Sequence, residues 1–123
     1  MKVRVAARFF RAWNYYQLAQ QFCETYDIAK ANKQLGLPLR IEYDVSTSYG
    51  RSRLQEVYDL ILKDLNEANE MDLNSELNIY MPGKDAVEAL LGRVYLQIGN
   101  YDLAEKFATN VLSRKKQLVD YKN

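Results

Sequence analysis

The stretch ALLGRVYLQIGNYDLAEKFATNVL, residues 89–112, constrains the fold of this chain more than any other segment. On each side of Gly99, apolar residues recur at steps of three and four, which is the pattern of an amphipathic helix. Glycine readily adopts the left-handed conformation that ends many helices, so the chain can fold back on itself at Gly99. We therefore predict an antiparallel helical hairpin with helices at 85–98 and 101–114.

A long helix is predicted near the start of the chain, over residues 2–24. Arg4, Arg8 and Arg11 recur at helical spacing along one narrow polar stripe, and most of the remaining circumference is apolar. A helix that is apolar on several sides is expected to pack against several neighbours. We expect a core helix whose three arginines point into solvent.

Another helix is predicted over residues 52–69, where the apolar positions form a regular stripe. Ser52 followed by Gln55 has the spacing of a capping box, which marks the start of a helix. Asp59, Asp64 and Glu67 lie off the apolar stripe, so we expect all three carboxylates to be ordinary solvated charges.

The hairpin at 85–114 also matches the tetratricopeptide repeat pattern, in which small and aromatic residues stand at fixed positions in a helix pair. Small residues let the two helix backbones approach closely, and aromatic residues fill the space to the next pair. The matching positions are Leu91, Gly92, Tyr95, Gly99, Tyr101, Ala104 and Ala108.

The fold class predicted from these patterns is all-α, with two antiparallel tetratricopeptide-like helix pairs in a single domain over the 123 residues. Pair one joins the helix at 2–24 to the helix at 52–69 and is split by a long loop, residues 25–51. Pair two joins 85–98 to 101–114. Long loops in small domains commonly carry function, so loop 25–51 is the first place to search for a site.

Composition excludes several classes of function. The chain has 17 basic and 16 acidic residues, and this near balance gives no field that would attract nucleic acid. It has no histidine and a single cysteine, so the commonest catalytic base and a multi-cysteine metal site are both missing. We predict no enzyme activity, no cofactor, no metal site and no transmembrane segment.

Four motifs occur in the same order as in a known family. They are AARFFRAWNYYQLAQQF in the first helix, LGLPL at 35–39, RSRLQEVYDLILKDLNEA at 51–68 and KDAVEALLGRVYLQIGNYDLAEKFATNVL at 84–112. Together they span most of the chain, and their sequence and order resemble the N-terminal tetratricopeptide-like segment of the SusD/RagB family.

The resemblance implies a SusD-like lipoprotein of the outer membrane, exposed at the cell surface, that binds oligosaccharide and works with a SusC-like, TonB-dependent transporter in nutrient uptake. Family members are several times longer, so we expect this chain to be a fragment without the lipoprotein signal. The alternative is a free-standing tetratricopeptide adaptor that binds a peptide, although such arrays usually contain at least three repeats.

Glycan binding uses exposed aromatic rings together with polar side chains that hydrogen-bond to hydroxyl groups. Loop 25–51 is the one region outside the predicted helices where such residues cluster, and the candidate ligand-binding residues are Tyr26, Arg40, Tyr43 and Tyr49. The simpler interpretation is that these tyrosines attach the loop to the helices by ring burial and a hydroxyl hydrogen bond.

Overall fold

A computed structural model of the chain describes residues 2–42, 46, 48–71, 82–115 and 117. The described residues contain no strand, only an isolated bridge between Leu35 and Arg53, and the predicted all-α class is confirmed. The first helix ends two residues earlier than predicted and the second begins two residues later. In the described part of the chain the helices are α1 (Lys2–Phe22), α2 (Leu54–Glu70), α3 (Lys84–Ile98) and α4 (Tyr101–Arg114).

Helices α1 and α2 pack side by side in opposite directions. Arg11, in the first half of α1, binds Asp64 in the second half of α2. Near the other end of the pair, the Gln20 amide donates to the Tyr58 hydroxyl at 3.1 Å. These two contacts fix the register of the helix pair. They also show that the side of α1 that faces α2 contains Arg11 and Gln20 as well as apolar side chains.

Helices α3 and α4 form the hairpin that Gly99 closes, with φ of 89° at that glycine. Gly92 is buried, and a Cβ atom added there would lie 3.6 Å from the Ala104 carbonyl oxygen. The rings of Tyr95 and Phe107 form a parallel stack across the same hairpin, with centroids 5.8 Å apart. The small residues of the repeat pattern therefore set the distance between the two helices.

Helix α2 is the centre of the molecule because it contacts α1 on one side and α3 on the other. The side chain of Asn66 links α2 to α3 by donating to the Tyr95 hydroxyl at 3.3 Å. With neighbours on two sides, α2 buries residues on most of its turns: Leu54, Val57, Tyr58, Ile61, Asp64, Leu65 and Ala68.

The segment around Gly36 is bound to the start of α2 by backbone hydrogen bonds. The Gly36 N–H donates to the Ser52 carbonyl at 2.7 Å, and the Ser52 N–H donates to the Leu37 carbonyl at 3.1 Å. A Cβ atom on Gly36 would lie 2.7 Å from Val57 Cγ2, closer than carbon atoms can pack. Glycine at this position therefore permits the backbone to approach α2.

The predicted capping box of Ser52 and Gln55 is wrong. The Ser52 hydroxyl donates to the Leu37 carbonyl at 2.6 Å instead of capping α2. The first N–H of the helix, at Leu54, donates to the Gln34 carbonyl at 2.8 Å. The Gln55 N–H, which the Ser52 side chain of a capping box would have bound, donates to the Ala31 carbonyl at 3.0 Å, so the docked loop replaces the local cap.

The expectation of a solvated charge is wrong for Asp64, whereas Asp59 is exposed as expected and Glu67 is partly exposed. The expectation of solvent-facing arginines is wrong for Arg8 and Arg11, which pair with carboxylates of α2. Asp64 is 0% exposed, and both of its carboxylate oxygens accept hydrogen bonds of 2.6 Å from the Arg11 guanidinium. The hydrogen bond to Asp64 is also the main reason that the pKa of Arg11 is raised. Arg8 donates to Glu67, and its Nη1 lies 3.6 Å from Asp64. The part of the polar stripe formed by Arg8 and Arg11 therefore faces α2, while Arg4 is exposed.

One exposed stripe along α1 is largely apolar, beside the exposed polar residues Arg4, Gln20 and Gln21. The positions of this stripe recur at steps of three and four and extend along about five turns of the helix, from Val3 to Phe22. Contiguous apolar surface of this kind commonly marks a contact with another protein surface. The exposed residues of this stripe are Val3, Ala7, Phe10, Asn14, Leu18 and Phe22.

Candidate functional site

Tyr26, the first candidate ligand-binding residue, lies at the base of the loop and is half-buried. Its hydroxyl donates to Gln55 Oε1 at 2.7 Å, and its ring meets the ring of Tyr58 edge to face, with centroids 4.9 Å apart. Burial raises the pKa of Tyr26, and the hydrogen bond to Gln55 partly opposes this shift. These contacts attach the loop to α2, and the part of the Tyr26 ring that is not covered lines a groove described below.

The buried partner ring, Tyr58, gives a test of this packing in alkaline solution. Burial raises the pKa of Tyr58 to about 12, from an ordinary value of about 10. A raised pKa means that the folded protein favours the neutral phenol. The stability that this contributes is complete below pH 10 and is lost as the pH rises toward 12.

We expect the last tyrosine to ionise near pH 12 when phenolate absorbance is followed during an alkaline titration. The Tyr58→Phe variant should lack this final step and should begin to unfold at higher pH than the parent chain. If all phenols titrate together near pH 10 in the folded chain, Tyr58 is not buried against Tyr26.

Arg40 and Tyr49 lie together in the second half of the loop. The Arg40 guanidinium carbon stands 5.3 Å from the centre of the Tyr49 ring, within the range of a cation–π contact. The backbone of Arg40 is held by Tyr15 of α1, whose hydroxyl accepts from the Arg40 N–H at 2.9 Å and donates to its carbonyl at 3.2 Å. Tyr43, the fourth candidate residue, lies outside the described residues.

The structure therefore places the candidate residues in two environments. Arg40 and Tyr49 contact each other beside the middle of α1, whereas Tyr26 contacts α2 near the other end of the loop. The prediction that these residues form a ligand-binding site stays a prediction.

A groove runs between the base of the loop and the α3–α4 turn. It consists of two adjoining cavities of about 400 Å³ and 610 Å³ that share five lining residues. We call it the turn groove and define it by those shared residues, which are Tyr26, Ile28, Ile98, Gly99 and Tyr101.

The turn groove includes residues that the sequence patterns assigned to no site. Tyr101 matches a position of the tetratricopeptide pattern, which indicates helix packing, yet its side chain is 68% exposed. Ile28 on the opposite side is 81% exposed. The sequence did contain a signal for a ligand contact at this turn. Tyr101 follows Gly99 and lies between Asn100 and Asp102, so an aromatic ring stands beside two side chains that can form hydrogen bonds.

Two features were looked for in vain among the described residues, a metal-binding cluster and a membrane-spanning helix. Its residues include no group of three or more histidine, cysteine, aspartate or glutamate side chains arranged to hold a metal ion. Among the helices with described residues, none combines the length and the apolar character needed to cross a membrane.

Comparison with known proteins gives a consistent result. A SusD-like family model, described as "starch-binding associating with outer membrane", matches residues 1–96. A search of curated protein sequences found no significant match.

Solved structures match nearly the whole chain. A SusD-like carbohydrate binding protein from Bacteroides vulgatus superposes with a TM-score of 0.80 at 21% identity, covering 98% of this chain and 26% of its own. A SusD superfamily protein from Bacteroides thetaiotaomicron gives 0.76 at 26% identity, covering 96% and 26%. A SusD-like protein from Bacteroides fragilis gives 0.69 at 27% identity, covering 94% and 21%. The chain thus spans about a quarter of the length of these structures.

Proposed function

The chain belongs to the SusD-like family, and from this membership we propose that it is a scaffold segment of a cell-surface protein that binds glycans and works with a TonB-dependent transporter. The observation that carries the proposal is the family match over residues 1–96, supported by solved structures that superpose on almost the whole chain. The family is described as starch-binding and as associated with the outer membrane, so the proposed location is the outer surface of that membrane.

The packing of the helices suits a scaffold. Helix α2 is covered on two sides, and the loop that splits the first pair is bound to it by backbone hydrogen bonds at Gly36 and Ser52. Loop residues held in this way lose little further entropy when they bind a ligand. The proposed role of α2 is therefore to hold the loop segment around Gly36 in a fixed position.

The glycan ligands are proposed to contact Tyr26, Arg40, Tyr43 and Tyr49. Of these, Arg40 and Tyr49 have a supporting geometry, because the guanidinium and the ring lie side by side at 5.3 Å. A guanidinium donates hydrogen bonds to hydroxyl oxygens, and a tyrosine ring offers an apolar face with a polar tip. The proposed role of the chain is binding and presentation of glycan, without catalysis.

The partnership can be tested by co-expressing the chain with any TonB-dependent transporter that is encoded in the same gene cluster. We expect the two proteins to co-elute as one complex in size-exclusion chromatography after detergent extraction. A TonB-dependent transporter from an unrelated gene cluster serves as the control and should elute separately. Separate elution of the cognate pair would contradict the proposed partnership with the transporter.

Glycan binding is tested independently by affinity electrophoresis of the chain through gels that contain a panel of polysaccharides. We expect at least one polysaccharide to retard the chain, and the Arg40→Ala variant to be retarded less. Unchanged mobility of the parent chain in every gel would contradict glycan binding by this segment.

A further inference from the structure

We propose that the turn groove binds a neutral oligosaccharide, with one pyranose ring stacked on the side chain of Tyr101. The inference rests on the proposed glycan-binding function and adds to it a second location and a class of sugar. The groove is separate from the contact between Arg40 and Tyr49, and its own residues supply an aromatic ring, an apolar wall and several hydrogen-bonding groups.

The aromatic ring is presented by the rigid start of α4. Asn100 is the N-cap of this helix, and its Oδ1 accepts from the Leu103 N–H at 3.3 Å. Tyr101 follows as the first helical residue and is 68% exposed. A Cβ atom added to Gly99 would meet no other residue within 4 Å, so the space beside the turn is open. The C–H face of a pyranose could cover the exposed apolar surface of this ring.

The opposite wall is ordered by hydrogen bonds around Asp27. The Asp27 carbonyl accepts from the N–H groups of Lys30 and Ala31 at 2.9 and 2.7 Å, and its side chain accepts from the Ala29 N–H at 3.0 Å. These bonds form the turns that present Ile28, which is 81% exposed, to the groove. The groove therefore has an apolar side chain on each wall without needing a rearrangement of the backbone.

The charges that line the groove favour a neutral ligand. The residues that line the groove carry three carboxylates, those of Glu24, Asp27 and Asp102, and one ammonium group, that of Lys30. Carboxylates accept hydrogen bonds from sugar hydroxyl groups. They repel the carboxylate of a uronic acid, and like-charge contacts of this kind suppress binding of the wrong partner. Neutral hexoses therefore fit the groove better than uronate or sulfated sugars do.

The size of the groove is also suitable. The two adjoining cavities, of about 400 Å³ and 610 Å³, each fall within the range of small-molecule sites, roughly 300–1,000 Å³. Because the cavities share lining residues, one oligosaccharide could extend from the α4 side past Tyr26 to the polar side chains at the base of the loop.

The test uses the full 123-residue chain, with maltoheptaose as the neutral probe and a heptamer of galacturonate as the anionic probe. Calorimetric titration is expected to show binding of maltoheptaose and weaker or no binding of the galacturonate heptamer. In NMR spectra, maltoheptaose is expected to shift the backbone amide signals of Ile28, Gly99 and Asp102. Preference for the anionic probe would overturn the assigned class of sugar.

Three variants locate the site. Tyr101→Ala should weaken maltoheptaose binding roughly tenfold, which corresponds to the loss of one stacking contact. Tyr101→Phe keeps the ring and should retain most of the affinity, so a loss in the alanine variant alone identifies stacking. Leu112→Ala, at another exposed position of α4, is the matched control and should bind as the parent chain does.

The outcomes separate this inference from the proposed function. If Tyr101→Ala binds maltoheptaose normally while Tyr49→Ala does not, glycan binding stands and the turn groove is not the site. Amide shifts confined to residues near Arg40 would overturn the inference in the same way. If the parent chain binds neither probe, the inference is wrong, while the partnership with the transporter is still decided by co-elution.

Discussion

Replacing Arg11 by methionine is expected to lower the free energy of unfolding by about 3 kcal/mol, because the variant leaves the buried carboxylate of Asp64 without its bidentate partner. Asp64 is 0% exposed and receives two hydrogen bonds of 2.6 Å from Arg11. We place the expected loss at the low end of the range for broken buried ion pairs for two reasons. The Arg11 side chain is itself 34% exposed, and Arg8 Nη1 remains 3.6 Å from Asp64.

Urea denaturation followed by circular dichroism measures this loss. Arg4→Met is the matched control because Arg4 is exposed on the same helix, and its effect should be within about 0.5 kcal/mol. In the double variant Arg11→Met with Asp64→Leu, no buried charge is left unpaired, so most of the lost stability should return. If Arg11→Met and Arg4→Met unfold at the same urea concentration, the ion pair does not contribute to stability.

Replacing Leu65 by alanine should have a comparably large effect, about 3 kcal/mol, because it opens a cavity in the centre of the fold. Leu65 is 0% exposed and belongs to α2, the helix that contacts both α1 and α3. Neighbouring helices held at both sides can collapse only partly into the space that the side chain leaves.

The matched control is Leu112→Ala, which removes the same atoms from a side chain that is 55% exposed, and it should change stability by about 0.5 kcal/mol or less. Thermal and urea unfolding of the two variants give the comparison. Equal losses from Leu65→Ala and Leu112→Ala would mean that α2 is not the centre of the core.

Two of the sequence motifs acquire a physical meaning from the structure, because they form the two sides of one contact. Arg51, which begins the motif at 51–68, donates from Nε to the carbonyl of Gly36 at 2.8 Å and from Nη2 to that of Leu35 at 3.2 Å. Both acceptors belong to LGLPL, and the next residue, Ser52, bonds to Leu37 in the same segment. The motifs resemble those of the family as sequence, whereas their pairing requires three-dimensional contact.

The helical hairpin was predictable because its determinants are local. Helical periodicity, small residues at Gly92 and Ala104 and a glycine able to adopt positive φ all act within one short stretch. The same reasoning failed for α1, where the polar stripe of Arg8 and Arg11 suggested a solvent-facing side. A periodic pattern shows that a helix has two kinds of face, but it does not show which face meets a neighbour when that neighbour supplies buried counter-charges.

The candidate site was predictable only in part for a similar reason. Aromatic and polar residues in the loop were visible in the sequence, but Tyr26 packs on Tyr58 while Arg40 packs on Tyr49, and spacing along the chain does not reveal this division. The proximity of Ile28 to Tyr101 joins positions 73 residues apart. Such a groove exists only after pair one and pair two have stacked.

The sequence by itself determined the all-α class, the turn at Gly99 and the four motifs that indicated the SusD-like family, because each depends on residues close together in the chain. The tertiary structure alone decided that Asp64 is buried against Arg11, that α2 begins on a carbonyl of the loop, and that Tyr101 faces a groove. These features arise where segments distant in the sequence meet. The free energy of folding there depends on which polar groups are buried and on which groups pair with them, and the spacing of residues along the chain does not determine either.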